Sequence, residues 1–191
     1  DGWRNTAVGH YAMKVNTSSH GTALGNDAML SNTTGAENTA VGSQSLYTNT
    51  TGGQNIAMGY KALFSSTTAS NNTALGYDAL RLNTTGAANT AVGKGALRAN
   101  TNGGRNTSIG FQSSLSNTTG ARNDVSGYNA FYTNTTGSYN TVSGMEAMYT
   151  NTTGAENAAF GYQALFSNTT ANNNAAFGRL ALYANTTGEL N

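Results

Sequence analysis

The chain has 191 residues, no cysteine, no proline and a formal net charge of +1, and only 9% of its residues are charged. Without cysteine there is neither a disulfide framework nor a thiolate metal site. The near-zero net charge provides none of the basic surface by which proteins bind nucleic acids or anionic membranes. No apolar run approaches the roughly 18 residues of a membrane-spanning helix.

An internal repeat of 17 residues fills the chain, with the consensus N-T-A-V-G-x-x-A-L-x-x-N-T-T-G-x-x. Glycine recurs at this interval from Gly25 to Gly178, and Gly9 precedes the series by 16 residues. One residue is therefore missing from the first unit, near Ser18. We interpret 1–191 as a single repeat array. Its units begin at Asn5, Gly21, Asn38, Asn55, Asn72, Asn89, Asn106, Asn123, Asn140, Asn157 and Asn174.

Both ends of the sequence fall inside the repeat. Gly2 occupies the same place in the unit as Gly35, and Asn191 opens a further unit. Solenoid arrays normally close with atypical, polar terminal repeats. We therefore expect this chain to be a window of a longer fibre.

Each unit begins with a predicted strand. The segment N-T-A-V-G is short, partly β-branched and closed by glycine, which is typical of a strand followed by a turn. The x-x-A-L-x-x segment is ambiguous between a second strand and one helical turn, and we expect a second strand. N-T-T-G supplies residues that favour tight turns. The sequence thus predicts an all-β protein, a β-solenoid of about eleven 17-residue coils stacked roughly 4.8 Å apart.

Stacked coils place identical side chains above one another. Asparagines in such columns form hydrogen-bonded ladders, threonines pack methyl on methyl, and glycine turns superimpose without steric conflict. We therefore interpret the repeated polar residues as structural rather than catalytic. The predicted ladder residues are Asn38, Asn55, Asn72, Asn89, Asn49, Asn83, Asn117, Asn134, Asn151, Thr50, Thr84, Thr118, Gly42, Gly59, Gly76 and Gly93.

Two columns of large apolar residues are the predicted core, one containing Val41 and Met58 and the other Leu46 and Leu63. Two such side chains per coil make a thin core. Further aromatic residues follow the glycine and the leucine of many units, and outside the coil they would form stripes along the rod. A long apolar stripe usually marks an interface. We expect a parallel homotrimer, the simplest closed arrangement in which each copy covers its neighbour.

Units seven to nine depart from the consensus. Val125-Ser126 and Val142-Ser143 reverse the usual order of small and large residues, which turns the apolar side chain to the other face of a strand. Leu115 is displaced by one position. We expect a local change of packing, and on this reading exchanging Val125 and Ser126 should stabilise the array.

The N-T-A-V-G and N-T-A-L-G cores followed by x-x-A-L-x-x-N-T-T-G resemble repeats of phage tail-fibre-like and bacterial surface-fibre proteins. The N-x-A-[VIL]-G core is similar to the head repeats of trimeric autotransporter adhesins, whose repeat is shorter. The resemblance covers 5–191. It implies a homotrimeric shaft on a cell surface or virion that holds a separate tip, and through that tip a host-cell receptor or glycan as partner.

No constellation in the sequence suggests an enzyme, a cofactor or a metal. His10 and His20 lie in different columns, whereas zinc needs three or four converging ligands. The acidic residues are scattered, without the pairing that acid–base hydrolysis requires. No phosphate-binding or dinucleotide fingerprint is present. We expect a non-enzymatic protein that binds no nucleic acid and does not insert into a membrane in this segment.

The sequence is also compatible with one modification, N-glycosylation, and with two other functions, glycan or receptor binding and ice binding. The N-T-T segments match the N-glycosylation acceptor pattern. Tyrosine and asparagine columns could bind sugars in a receptor- or glycan-binding adhesin head. The threonine column from Thr17 to Thr186 could match an ice lattice. The possible glycosylation sites are Asn32, Asn49, Asn83, Asn117, Asn134, Asn151, Asn168 and Asn185.

Overall fold

The computed structural model describes residues 2–191, which form an all-β parallel β-solenoid of about ten turns. Eleven strands and no helix are present in these residues, and every strand has three residues. The strands are β1 (Thr6–Val8), β2 (Thr22–Leu24), β3 (Thr39–Val41), β4 (Ile56–Met58), β5 (Thr73–Leu75), β6 (Thr90–Val92), β7 (Thr107–Ile109), β8 (Asp124–Ser126), β9 (Thr141–Ser143), β10 (Ala158–Phe160) and β11 (Ala175–Phe177). The solenoid predicted from the repeat is confirmed.

The strands form one parallel sheet in chain order, with the repeat in register. Ala40 lies opposite Ala57, one unit further along the chain. In the shorter first unit, Thr17 Oγ1 donates to Thr33 O at a sequence separation of 16, whereas Ser18 Oγ donates to Gly35 O at a separation of 17. The missing residue therefore falls directly after Thr17.

The A-L segment is a series of turns, so the prediction of a second strand was wrong. In the third unit Gln44 and Leu46 have φ angles of 57° and 51°, on either side of Ser45. These alternate left-handed residues bend the chain around the thin core instead of extending it. They also point successive amides in opposite directions: Gln44 N–H donates to Asn26 O at 2.9 Å in the preceding coil, and Leu46 N–H to Ala62 O at 2.9 Å in the following coil. The segment joins the inter-coil bonding without being a strand.

Only one of the two predicted apolar columns lies in the core. The leucine column (Met13, Met29, Leu46, Leu63, Leu80, Leu97, Ser114, Phe131, Met148, Leu165 and Leu182) is buried along most of its length. In the strands, the middle alanine points inward and its two neighbours point outward; Ala40 is fully buried between Thr39 and Val41. The residues at the strand ends form what we call the valine column: Val8, Leu24, Val41, Met58, Leu75, Val92, Ile109, Ser126, Ser143, Phe160 and Phe177. This column faces outward, so assigning it to the core was wrong.

A polar layer divides the apolar core into two clusters. In the coil of residues 106–122, the inward positions are Ser108, Ser113 and Ser114, all buried. Ser108 Oγ lies 2.7 Å from Ser113 Oγ and donates to Ser113 O at 2.9 Å. In the next two coils Val125 and Val142 replace the inward alanine and are buried. The packing thus changes where the sequence departs from the consensus, and the reversed order places these valines inside.

Candidate functional site

The first asparagine column, which opens the units, bonds each coil to the next. Asn55 presents both its backbone N–H and its Nδ2 to Asn38 Oδ1, at 2.9 and 3.1 Å, and Nδ2 also donates to Ala69 O at 2.9 Å. The backbone bond to the preceding asparagine continues without a break from Asn38 to Asn191. The predicted ladder residues Asn38, Asn55, Asn72 and Asn89 lie together in this buried column.

The asparagines of the second column, in the N-T-T-G turns, bond to one another between coils through their side chains only. Asn49 Nδ2 donates to Asn32 Oδ1 at 2.6 Å and to Gly52 O, in its own turn, at 2.8 Å. One stretch joins Asn16 to Asn49 and another joins Asn83 to Asn168. These buried amides hold each turn in shape and bind it to the adjacent coil.

The neighbouring threonine column donates to backbone carbonyls instead of forming a hydroxyl chain. Thr50 Oγ1 donates to Thr67 O at 3.0 Å, Thr84 Oγ1 to Thr101 O at 3.1 Å and Thr118 Oγ1 to Thr135 O at 2.9 Å. Because these hydroxyl protons are used between coils, the column does not present free donors to solvent.

The glycine that follows each strand combines an unusual backbone conformation with close approach of the next coil. Gly42, Gly59, Gly76 and Gly93 have φ angles of 127°, 137°, 137° and 130°. L-residues rarely adopt these values. A Cβ added at Gly42 would also lie only 2.7 Å from Gly59 O. The backbone geometry requires these glycines in the turn that follows each strand.

Aromatic side chains form stacks along the outside of the rod. Tyr132, Tyr149, Phe166 and Tyr183 are stacked with ring centroids 5.1, 5.4 and 5.2 Å apart and nearly parallel planes. Shorter stacks of the same kind are Tyr47–Phe64, Tyr60–Tyr77, Phe111–Tyr128 and Phe160–Phe177. Since each ring covers the face of the next, solvent meets mainly ring edges along these columns.

Most of the possible glycosylation sites lie inside the rod. Asn32, Asn49, Asn83, Asn117, Asn134, Asn151 and Asn168 are at most 1% exposed. Each of these Nδ2 atoms already donates hydrogen bonds within the turn or the column, and a sugar on one of them is incompatible with the ladder. Asn185 is partly exposed.

One ion-pair cluster went unnoticed in the sequence. The buried side chain of Asp78 lies 3.7 Å from Arg81 and 3.4 Å from Arg98 in the adjacent coil. In most other units this column holds an aromatic residue, such as Phe64 or Tyr132. The arginines in two consecutive units could therefore have indicated a buried acidic partner.

The histidines lie apart from any such cluster. His10 lies 4.0 Å from Asp27, and His20 packs against Trp3 with ring centroids 5.7 Å apart.

Within residues 2–191, no group of three or more histidine, cysteine or acidic side chains is arranged to hold a metal ion. The same residues include no helix of the length and apolarity needed to cross a membrane. No protein-family model, curated protein or solved structure matches this chain.

Proposed function

We propose that this chain is the structural shaft of an extracellular or virion-borne fibre, assembled as a parallel homotrimer that projects a binding tip lying outside this segment. The observation that carries the proposal is the apolar valine column, which runs along the outside of a rod built by continuous bonding between coils. The repeat resemblance supports the same function.

The bonding around each coil suits a load-bearing rod. Every strand pairs with its neighbours, the turn segments exchange backbone bonds in both directions, and the asparagine columns add buried side-chain bonds. A force that separates two coils is therefore shared among many bonds at once. Eleven strands at about 4.8 Å per step give a rod roughly 50 Å long.

The valine column provides the surface for association. Val8, Leu24, Met58, Ile109 and Phe177 are 43–68% exposed along one face. Ser126 and Ser143 interrupt the column, but the apolar stretch from Val8 to Ile109 is of a kind that monomeric proteins rarely leave uncovered. Because the coils are in register, the column presents one side chain per coil, and copies placed side by side in parallel can cover it coil by coil.

Sedimentation equilibrium tests the assembly. We expect a species of three times the 19.6 kDa chain mass. Met58→Ser combined with Ile109→Ser should shift the protein towards monomer, and serine already occupies this column at Ser126 and Ser143.

Leu82→Ser is the matched control. Leu82 is 40% exposed, and Ser65 stands at the same place in the preceding unit. This control should remain trimeric. A wild-type chain that sediments as a monomer at micromolar concentration would contradict the proposal.

The alternatives make different demands on the surface. A receptor- or glycan-binding head would use exposed aromatic faces; the stacks cover most of them, whereas Trp3 and Tyr139 lie outside the stacks and are 59% and 53% exposed. An ice-binding surface would need a free hydroxyl array, whereas the column from Thr17 to Thr186, considered for this role, donates its hydroxyl protons to carbonyls of the next coil. Saturable binding to a glycan array by this chain would favour the adhesin head over the shaft, and measurable thermal hysteresis would favour ice binding.

A further inference from the structure

A shallow depression of about 360 Å³ lies on one corner of the rod, away from the valine column in the repeat. It is lined by Ala87, Ala88, Gly104, Arg105, Ala121 and Arg122. These residues belong to three successive coils, and they follow the glycine of the N-T-T-G turn. The residues at the corresponding place in each unit, here called the corner column, are Trp3, Ser19, Ala36, Gly53, Ser70, Ala87, Gly104, Ala121, Ser138, Ala155, Asn172 and Glu189.

The repeat shows where an acceptor oxygen binds along the corner column. Gly53 N–H donates to Ser70 Oγ at 3.1 Å, and Ala121 N–H donates to Ser138 Oγ at 3.0 Å. Ala155 N–H donates to Asn172 Oδ1 at 2.7 Å. In each case, the backbone amide of one coil takes its acceptor from the corner side chain of the next coil.

Within residues 2–191 most corner amides lack that acceptor, including three in succession, those of Ser70, Ala87 and Gly104. The amides of Ala87 and Gly104 differ from the others in lying at the depression beside two arginines. The next corner residue after Ala87 is Gly104, and the one after Gly104 is Ala121, so neither supplies a side-chain oxygen. Among residues 2–191, the N–H groups of Ala87 and Gly104 have no hydrogen-bond partner. These two donors lie on adjacent coils, about 4.8 Å apart.

The positive charges at the depression are also without a counter-charge. Arg105 and Arg122 are exposed, follow one another in adjacent coils, and form no ion pair within the described chain. Arg122 Nη1 donates to the neutral hydroxyl of Tyr139. Two like charges this close repel each other. Guanidinium groups bind carboxylate, sulfate and phosphate through directed pairs of hydrogen bonds.

We propose that this corner binds one oxyanion group, a carboxylate, sulfate or phosphate, of an acidic ligand. The N–H groups of Ala87 and Gly104 donate to the ligand oxygen at the places that Ser70, Ser138 and Asn172 fill elsewhere. Arg105 and Arg122 neutralise the charge and select an anion over a neutral hydroxyl.

Amide-resolved NMR titration of the full chain with sodium sulfate tests this site, with sodium chloride at equal ionic strength as the reference. The amide signals of Ala87 and Gly104 should shift saturably with sulfate and not with chloride. Parallel titrations with inorganic phosphate, glucuronate and a sulfated monosaccharide distinguish a free ion from a sugar-borne group. Shifts that do not saturate, or that chloride reproduces, would overturn the proposal.

Serine substitutions supply the missing acceptor from within the protein. Gly104→Ser combined with Ala121→Ser should satisfy both amides, as Ser70 and Ser138 do in other coils, and weaken sulfate binding at least tenfold. Ala155→Ser makes the same chemical change in the same column away from the arginines, and it should leave binding unchanged. Arg105→Gln with Arg122→Gln should also weaken binding at least tenfold. Unchanged affinity in the double serine variant would contradict the assigned amides.

Discussion

Asn49 Oδ1 and Ser66 Oγ lie one coil apart in the second asparagine column, and both are buried without a hydrogen-bond partner within residues 2–191. On the N-terminal side of this point, Asn49 Nδ2 donates to Asn32 Oδ1 at 2.6 Å. On the C-terminal side, the column resumes where Asn100 Nδ2 donates to Asn83 Oδ1 at 2.7 Å. The serine side chain is too short to connect these two stretches, so the ladder is divided there.

The turn glycine explains why this serine is accompanied by Ala69. A Cβ added at Gly35 would clash with the backbone oxygen of Gly52 in the next coil and lie 2.7 Å from Asn32 Oδ1 and 2.8 Å from Asn49 Nδ2, although the φ of Gly35 lies outside the region that L-residues avoid. Glycine here leaves room both for the next coil and for the asparagines. Ala69 carries a Cβ in the coil of Ser66, and Ala171 carries one beside Asn168, whose Oδ1 is also without a partner.

Ser66→Asn combined with Ala69→Gly should therefore join the two stretches of the ladder. Two new buried amide bonds, at about 1 kcal/mol each, predict a gain of about 1–2 kcal/mol in the free energy of unfolding. Urea denaturation followed by circular dichroism measures it.

Ser66→Asn alone should gain less, because the Ala69 Cβ occupies the space that the new amide needs. Ala69→Gly alone should gain nothing. Equal stabilisation by Ser66→Asn with and without the glycine would refute the steric argument.

Exchanging Val125 and Ser126 should destabilise the rod, the reverse of what the repeat pattern suggested. Val125 is fully buried, whereas Ser126 faces solvent. The exchange removes a buried valine, worth about 1.5–3 kcal/mol, and buries a hydroxyl in its place. The melting temperature of the Val125→Ser, Ser126→Val variant, measured by calorimetry, should fall.

Val92→Ser is the control, because Val92 lies in the outward valine column where serine also occurs. It should cost clearly less than the exchange if both are compared in the same oligomeric state. A higher melting temperature for the exchanged variant would restore the original interpretation.

The repeat made the solenoid and its register predictable, whereas the direction of individual side chains was not. A three-residue strand such as Thr39–Val41 alternates in and out, but the pattern is equally consistent with Val41 inside or Ala40 inside. Size favours valine for a core, yet alanine fills the inward position in most coils, and valine does so at Val125 and Val142. The side that faces inward depends on how the whole coil packs, and the sequence of one three-residue strand does not determine this.

The turns of the A-L segment were unpredictable for a related reason. Leu46 adopts a φ of 51°, which costs an isolated L-residue roughly 1–2 kcal/mol. Burial of the leucine and hydrogen bonds to both adjacent coils offset this cost, and both depend on neighbours 16 or more residues away. The corner depression was missed because Arg105 and Arg122 look like ordinary variation at exposed positions of a repeat.

Gly93→Ala should be strongly destabilising. Its φ of 130° is unfavourable for alanine, and a Cβ would lie 2.7 Å from the Gly110 carbonyl carbon. Backbone strain alone predicts a loss of about 1–3 kcal/mol, to which the steric conflict adds. Chemical denaturation measures the loss.

Gly53→Ala provides the comparison, since Gly53 belongs to the corner column, where Ala36 and Ala87 are tolerated. A Cβ at Gly53 would lie 3.0 Å from Ala36 O, a tight contact without the backbone strain of Gly93, so Gly53→Ala should cost clearly less than Gly93→Ala. Similar losses in the two variants would show that the post-strand glycine has no special geometric role.

Asp78→Asn should destabilise the chain through the two arginines that it leaves behind. Asp78 Oδ2 lies 3.7 Å from Arg81 Nη1 and 3.4 Å from Arg98 Nε, and its side chain is only 11% exposed. Removing a partner of a charged hydrogen bond costs about 1–3 kcal/mol, and here it also leaves two guanidinium groups on adjacent coils. Because salt screens this repulsion, the loss should be smaller in 0.5 M than in 0.05 M sodium chloride, as measured by urea denaturation at each salt concentration.

Adding Arg98→Leu, which matches Leu115 in the next unit, should recover part of the stability of Asp78→Asn by removing one of the repelling charges. A loss independent of salt and unaffected by Arg98→Leu would mean that Asp78 acts through packing rather than charge.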